Sequence, residues 1–324
     1  MKYPLLYVTL LILASLSSFS QTKKLKLYEL PDRAYQLYQN KNYTESAILY
    51  TAIFEQSFKK KLFNINTFDA AYNGACCWAL SNKVDSAFVI LDQVADQDLF
   101  LNQYPHILTD GDLKSLHNDS RWSALISKIE KHKSFFESGA DKILMKELDT
   151  LYNNDQKYRN LSAKKAKEFG KDSKEFKAVL ALTKHQDSLN LIQIEQLIGK
   201  YGWLGPRKVG FRGSRAFYLV VQHASLPIQE KYLPVMRKAV KEGNASKDDL
   251  AFLEDRILIR QGKMQIYGSQ MKTDESGVHY PIRLRDPENV DFRRFEVGLE
   301  PMSQYLEPSQ WNPIEYKKLY QNKQ

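Results

Sequence analysis

Apolar residues recur at helical spacing along most of the chain, which predicts a mainly α fold. Over Asp32–Phe58, Ala34, Leu37 and Tyr38 precede an Asn-Lys-Asn turn, and Tyr43, Ser46, Tyr50 and Ile53 continue the stripe. Residues 70–97 repeat the plan: Ala71, Ala75 and Ala79 supply small residues for close helix approach, and Ser81-Asn82-Lys83 makes the turn. Val84, Ala87, Leu91 and Val94 form the next stripe. The charged run Lys128–Lys133, followed by Ser138-Gly139, marks a boundary between an array at 28–132 and a second domain at 139–310. In that domain the periodicity predicts helices at about 140–161, 173–200, 212–224, 227–242 and 246–261. Ser246 with Asp249 fits a capping box, and Pro227 suits a first helical turn. The stretch GWLGPRKVGFRG, Gly202–Gly213, is too rich in Gly and Pro for regular structure. GKMQIYGSQ, Gly262–Gln270, and VHYPIRL, joined by Asp-Glu-Ser-Gly, read as a small β-hairpin. On such a strand Gln265, Tyr267 and Ser269 share one face, and Gln270 turns back to it only through a bulge at Gly268.

Two helix–turn–helix units of similar length resemble tetratricopeptide repeats. Thr109–Ile129, with Asp112-Leu113, Leu116, Asp119, Trp122 and Leu125, resembles the segment that closes such arrays in bacterial proteins. The resemblance implies a concave surface for a protein or peptide partner; the alternative is an array that only supports the second domain.

Residues 1–20 have the pattern of a signal peptide: Lys2, an apolar run from Leu5 to Leu16, then Ser18-Phe19-Ser20 before Gln21. The expected location is periplasmic or secreted. No cysteine sits directly after the cleavage point, so a lipoprotein is not expected, nor is a transmembrane segment after cleavage. The two cysteines, Cys76-Cys77, are adjacent and badly placed to bridge each other, and read as small buried helix residues. No metal site at zinc spacing and no cofactor motif occurs, so no metal or cofactor is expected. The net charge of +9 and pI near 9.2 favour acidic partners. The lysines are spread over helical segments without a nucleic-acid motif, which points away from nucleic acid and towards an anionic small molecule or envelope component.

The second domain carries an ordered set of short motifs. These are DQxxR (Asp155, Gln156, Arg159), DxxN (Asp187, Asn190), YGW with a following VG (Gly202, Trp203, Gly210) and VQHA (Gln222, His223). After them come EDR (Asp255, Arg256), GKxQxYGxQ (Gly262, Gln265, Tyr267, Gly268, Gln270) and DFRRFEVGL (Arg293, Arg294, Gly298, Leu299). On these residues the stretch Leu144–Leu306 resembles the domain of unknown function family 6624, with Ser269 where that family more often has Thr. The resemblance implies a shared fold and a shared site, and carries no activity.

Asp155 and Arg159, four apart on a helix, can pair along one face, with Gln156 beside them and Asp187 and Asn190 opposite on the next helix. His223, with Gln222 before it, stands where the buried run FYLVVQ reaches a surface. Arg256 sits on an amphipathic helix with Leu250, Leu253, Ile257 and Leu258 inward, as a fork for carboxylate or phosphate or as an internal partner of Asp187 or Asp291. The amides of Gln265 and Gln270, with Tyr267 and Arg293, read as ligand contacts. Three functions are compatible with this set. One is a domain binding a polar, anionic ligand. Another is a cofactor-independent hydrolase or transferase with His223 and Arg256 as catalytic groups, and the third is a purely structural interaction module.

Overall fold

The computed structural model describes residues 25–306 and 311–318. The signal-peptide segment, residues 1–20, lies outside the described residues. The chain forms two compact units, one ending at Ile129 and the other starting at Glu130. It is mainly α with one small two-stranded sheet. Among the described residues no helix is long and apolar enough to cross a membrane.

In the first unit α1 (Leu30–Gln39), α2 (Tyr43–Lys59), α3 (Ile65–Leu80) and α4 (Val84–Val94) follow one another through short turns. Three of these helices end alike. Lys41, Lys61 and Asn82 take left-handed φ angles of 60°, 56° and 55°. The next residues' N–H groups, of Asn42, Leu62 and Lys83, donate back to Leu37, Ser57 and Trp78, which satisfies carbonyls that a helix end otherwise leaves open. Consecutive helices pack on one another through Ala34, Ala47, Ile53, Phe54, Ala71, Ala75, Ala87 and Leu91, all nearly inaccessible. At Gly74 an added Cβ would lie 3.3 Å from Tyr50 Cβ, so the α2–α3 crossing needs glycine there. A short helix, α5 (Tyr104–Ile107), and a 3-10 turn at Gly111–Leu116 follow, and then α6 (Ser120–Glu137).

Cys76 and Cys77 are free and buried. The fold does bring Cys76 to Asp110 and Asp112, with the three ligating atoms within 4.8 Å of one another, a proximity that no local spacing displays. The tyrosine hydroxyls of Tyr72 and Tyr38 donate to these two carboxylates at 2.5 and 2.9 Å. Burial pushes both thiols up, Cys77 to about 11, so neither is a thiolate at neutral pH. Native protein at pH 8 is therefore expected to resist iodoacetamide and to take two alkyl groups only in urea, counted by mass spectrometry; prompt native labelling would contradict it.

The second unit is built on two long helices, α7 (Lys142–Phe169) and α8 (Lys174–Tyr201), capped by Asp141 and Ser173 side chains. Next come α9 (Pro206–His223), α10 (Leu226–Lys241) and α11 (Lys247–Arg260). Leu148, Leu151, Ile194, Phe217, Val221, Met236 and Leu253 form their shared core. The stretch Gly202–Gly213 is thus largely helical, against expectation. The helix begins at Pro206, a first-turn position where its missing N–H costs nothing, and within α9 the residue with non-helical angles is Gly210, at φ 71° and ψ 166°. Ser246 caps α11 as expected, accepting from the Asp249 N–H.

The hairpin is displaced from its expected place. Its strands are β1 (Met271–Thr273) and β2 (His279–Pro281), pairing antiparallel with Lys272 opposite Tyr280. Gly262–Gln270 is not a strand but a loop between α11 and β1. A smaller apolar cluster of Tyr280, Leu284, Val290, Met302, Leu306 and Tyr316 lies under it, and includes the start of α12 (Val290–Val297).

Candidate functional site

The loop Gly262–Gln270 is wound around one carboxylate. Asp255, on α11 and fully buried, accepts the backbone N–H groups of Ile266 (2.7 Å), Tyr267 (3.1 Å) and Ser269 (2.9 Å). Burial raises its pKa, and the three backbone donors oppose that shift. Gln265 closes the loop from within. It is inaccessible; its amide nitrogen donates to Gln270 O (2.8 Å) and Ile282 O, and its amide oxygen accepts from Gln270 N (2.8 Å). Arg294, also inaccessible, donates to Tyr267 O (2.8 Å) and Glu300 O (2.5 Å) and stacks over the Tyr305 ring. Arg293 donates to Ile266 O (2.8 Å) and Arg285 O (2.6 Å). Both ends of the Gln265 amide therefore bind backbone, and Arg293 holds the loop.

A second cluster joins α7, α8 and α9. Asp155 is 2% exposed, and its Oδ1 lies 2.9 Å from His223 Nδ1 and 3.3 Å from Arg159 Nη2. Gln156 donates to Asp155 Oδ2 (2.7 Å), and Arg159 Nη2 donates to Asp187 Oδ1 (2.6 Å). Asn190 is buried and accepts from Gln186 (2.9 Å), apart from this network. Arg159 Nε lies 3.0 Å from His223 Nδ1 as well. One ring nitrogen cannot donate to a carboxylate and accept from a guanidinium together. Both candidate bonds are charge-assisted, and the buried carboxylate decides it: a lone pair on Nδ1 would face the Asp155 oxygen 2.9 Å away, whereas Arg159 also has Asp187 and the same carboxylate as acceptors. We assign the proton to Nδ1, directed at Asp155, which leaves the lone pair on Nε2. The His223 side chain is 19% exposed.

Burial tends to raise the Asp155 carboxyl, but the bond and charge of His223, the charge of Arg159 and the bond from Gln156 hold it below its ordinary value. A depressed carboxyl contributes stability above its unfolded pKa of about 3.9 and loses it as pH falls through the folded value. The Tm deficit of Asp155→Asn relative to wild type should therefore be present at about pH 5 and shrink steadily towards pH 2. Circular-dichroism melts across that range check this; a deficit independent of pH would contradict it.

The two clusters meet at the end of α9. Arg256, on α11, donates from Nη1 to Gln222 O (3.3 Å) and from Nε to Gln270 Oε1 (3.2 Å). Its Nη2 makes no hydrogen bond among the described residues, and no described carboxylate forms an ion pair with it. Asp187 pairs with Arg159 and Asp291 accepts from Met302 N (2.8 Å), so neither expected internal partner serves Arg256. Burial lowers its pKa, and the positive charges of Arg260 and Arg159 act in the same direction. Arg260 donates to Ala224 O (2.6 Å). Gln222 is buried; its amide oxygen has no donor among the described residues. Tyr267 lies partly buried and burial raises its hydroxyl to about 12.

The structure thus gathers Asp155, Gln156, Arg159, Asp187 and His223 directly, and links Gln222, Arg256 and Gln270 beside them. It places Asn190 apart, Gln265 and Tyr267 in the loop, and Arg293 on α12 against the loop. Asp255, seen in the sequence only as part of a motif, organises that loop. A surface pocket of about 280 Å³ lies against Phe135, Phe136, Arg207 and Lys208 and includes none of these residues.

Comparison with curated proteins gave no match, and comparison with solved structures gave none. The model of the family of unknown function DUF6624 matches residues 143–310, about half of the chain and the whole of both clusters. The chain belongs to that family.

Proposed function

We propose that the second unit binds a polar, anionic ligand at Arg256, beside the Asp155–His223 pair, in an exported protein whose helical array contacts a protein or peptide partner. The observation that carries the ligand reading is Arg256 itself. It is a partly buried cation, bonded only to neutral acceptors, next to two further guanidinium groups, with one nitrogen unengaged. A desolvated guanidinium without a counter-charge is costly to keep unless something anionic complements it. The tetratricopeptide likeness of the array is supported by its succession of turn-linked helices with matching ends.

Inorganic phosphate and sulfate serve as probes. A ligand at a hundred times its Kd adds about 2.7 kcal/mol, a Tm rise of roughly 5–10 °C for a unit of this size. Arg256→Met should abolish the rise. Absence of any rise with either anion in wild type would refute the anion reading. Export is tested separately: the mature protein should begin at Gln21, and a retained Met1 in envelope fractions, seen by mass spectrometry, would count against it.

A further inference from the structure

We propose that the His223 site hydrolyses phosphate esters, with His223 Nε2 as general base towards water, Asp155 as the positioning residue and Arg256 as the phosphate receptor. The inference rests on the anion site proposed above and adds a reaction to it.

Three observations carry it. The Asp155 carboxylate, itself buried, holds Nδ1–H at 2.9 Å, which fixes the ring's orientation and tautomer and presents Nε2 as an acceptor. The hydrogen-bond partners of His223 among the described residues are Asp155 and Arg159, neither of them a hydroxyl or thiol nucleophile. A base without a protein nucleophile acts on solvent, and the partly exposed ring is open to it. Arg256, with Nη2 unengaged, bonds the backbone carbonyl of Gln222, the residue before His223, and lies within electrostatic reach of Arg159, itself 3.0 Å from the His223 ring. Guanidinium groups match the paired oxygens of phosphate and stabilise the charge that develops on them.

The reaction balances without any co-reactant but water. The water oxygen bonds to phosphorus as its proton passes to Nε2. The bond from phosphorus to the ester oxygen breaks, its electron pair stays on that oxygen, and the imidazolium returns the proton there. An alcohol and inorganic phosphate result. Asp155 keeps its charge throughout and balances the imidazolium.

The test uses the full chain with p-nitrophenyl phosphate, and p-nitrophenyl acetate as an uncharged control. Wild type should release nitrophenol from the phosphate and not above background from the acetate. His223→Gln should lower kcat by about 10²–10⁴-fold with KM unchanged, as expected for loss of a general base. Arg256→Met should raise KM. Turnover by His223→Gly should recover with added imidazole, which a structural role for the ring would not allow. Asp155→Asn should lower kcat per folded molecule at constant KM, whereas a purely structural Asp155 would lower only the folded fraction. No turnover of the phosphate ester by wild type, or full turnover by His223→Gln, overturns the proposal. If inorganic phosphate still raises Tm while turnover is absent, the binding reading stands and the catalytic one falls; if neither occurs, both fall.

Discussion

Replacing Asp255 with Ala is expected to destabilise the second unit by at least about 4 kcal/mol and to release the loop Gly262–Gln270. Three backbone N–H groups converge on this one carboxylate, and the side chain is inaccessible to water. Each buried donor left unpaired costs about 1–3 kcal/mol, and Ala supplies no acceptor for any of them. The loop has no ladder to fall back on. Its cross-contacts to residues 282–285 are a single bridge at Gln265, the Ile282 N–H donating to Gln270 O, and the Gln265 side chain. Asp255→Asn should be milder. Burial raises the Asp255 pKa, so a neutral group is tolerated there, and Asn keeps one acceptor oxygen while its amide hydrogens face the same donors. Urea unfolding gives the stabilities, and limited proteolysis should cut between 262 and 270 in the Ala variant first. A loss under about 1 kcal/mol with an uncut loop would mean that the carboxylate is not what holds it.

That loop also shows where the sequence stops being informative. Helices α7, α8, α10 and α11 are legible because their apolar stripes repeat over several turns, and α11 also shows its cap at Ser246. Gly262–Gln270 alternates like a strand, but alternation describes only the residues themselves. What decides its shape is Asp255, seven and more residues upstream, together with left-handed Gly262 and Gly268 at φ 74° and 71°. Gly262 ends α11 with Lys263 N donating back to Leu258 O, which directs the chain away from an extended path. At Gly268 the space for a Cβ is taken by Met302 Sδ, 3.2 Å away. The Gly202–Gly213 misreading has the converse cause. Its glycines suggested disorder of the helix, yet Gly213 serves packing, with an added Cβ 3.3 Å from Leu148 Cβ. In the site, the Asp155–Arg159 pairing followed from spacing along one helix. The partnership of Asp155 with His223, 68 residues away, could not, and only the family likeness grouped them in advance.

The sharpest expected contrast lies between two residues of the same site. Asp155→Ala should lower stability by about 2–4 kcal/mol, whereas Arg256→Met should leave it within about 1 kcal/mol of wild type or raise it. Asp155 is the shared partner of His223, Arg159 and Gln156, so its removal leaves three polar groups facing an emptied acceptor position. Breaking a fully buried ion pair from one side costs about 3–5 kcal/mol. The value here is set lower because Arg159 keeps Asp187 at 2.6 Å and its side chain is 23% exposed. Arg256 has no such dependants. Its acceptors are a backbone carbonyl, which Gln229 also serves at 2.7 Å, and one amide oxygen. Its removal also relieves the mutual repulsion with Arg159 and Arg260. A residue retained for a ligand rather than for folding behaves in this way, and its loss should appear in phosphate binding instead. Asp155→Ala/Arg159→Met should lose at least as much as Asp155→Ala alone, since Asp187 then loses its partner at 2.6 Å as well. Melts of the four proteins with and without phosphate separate the roles. If Arg256→Met loses as much stability as Asp155→Ala, and its folded fraction binds phosphate as wild type does, Arg256 belongs to the structural network and the site has no anion receptor.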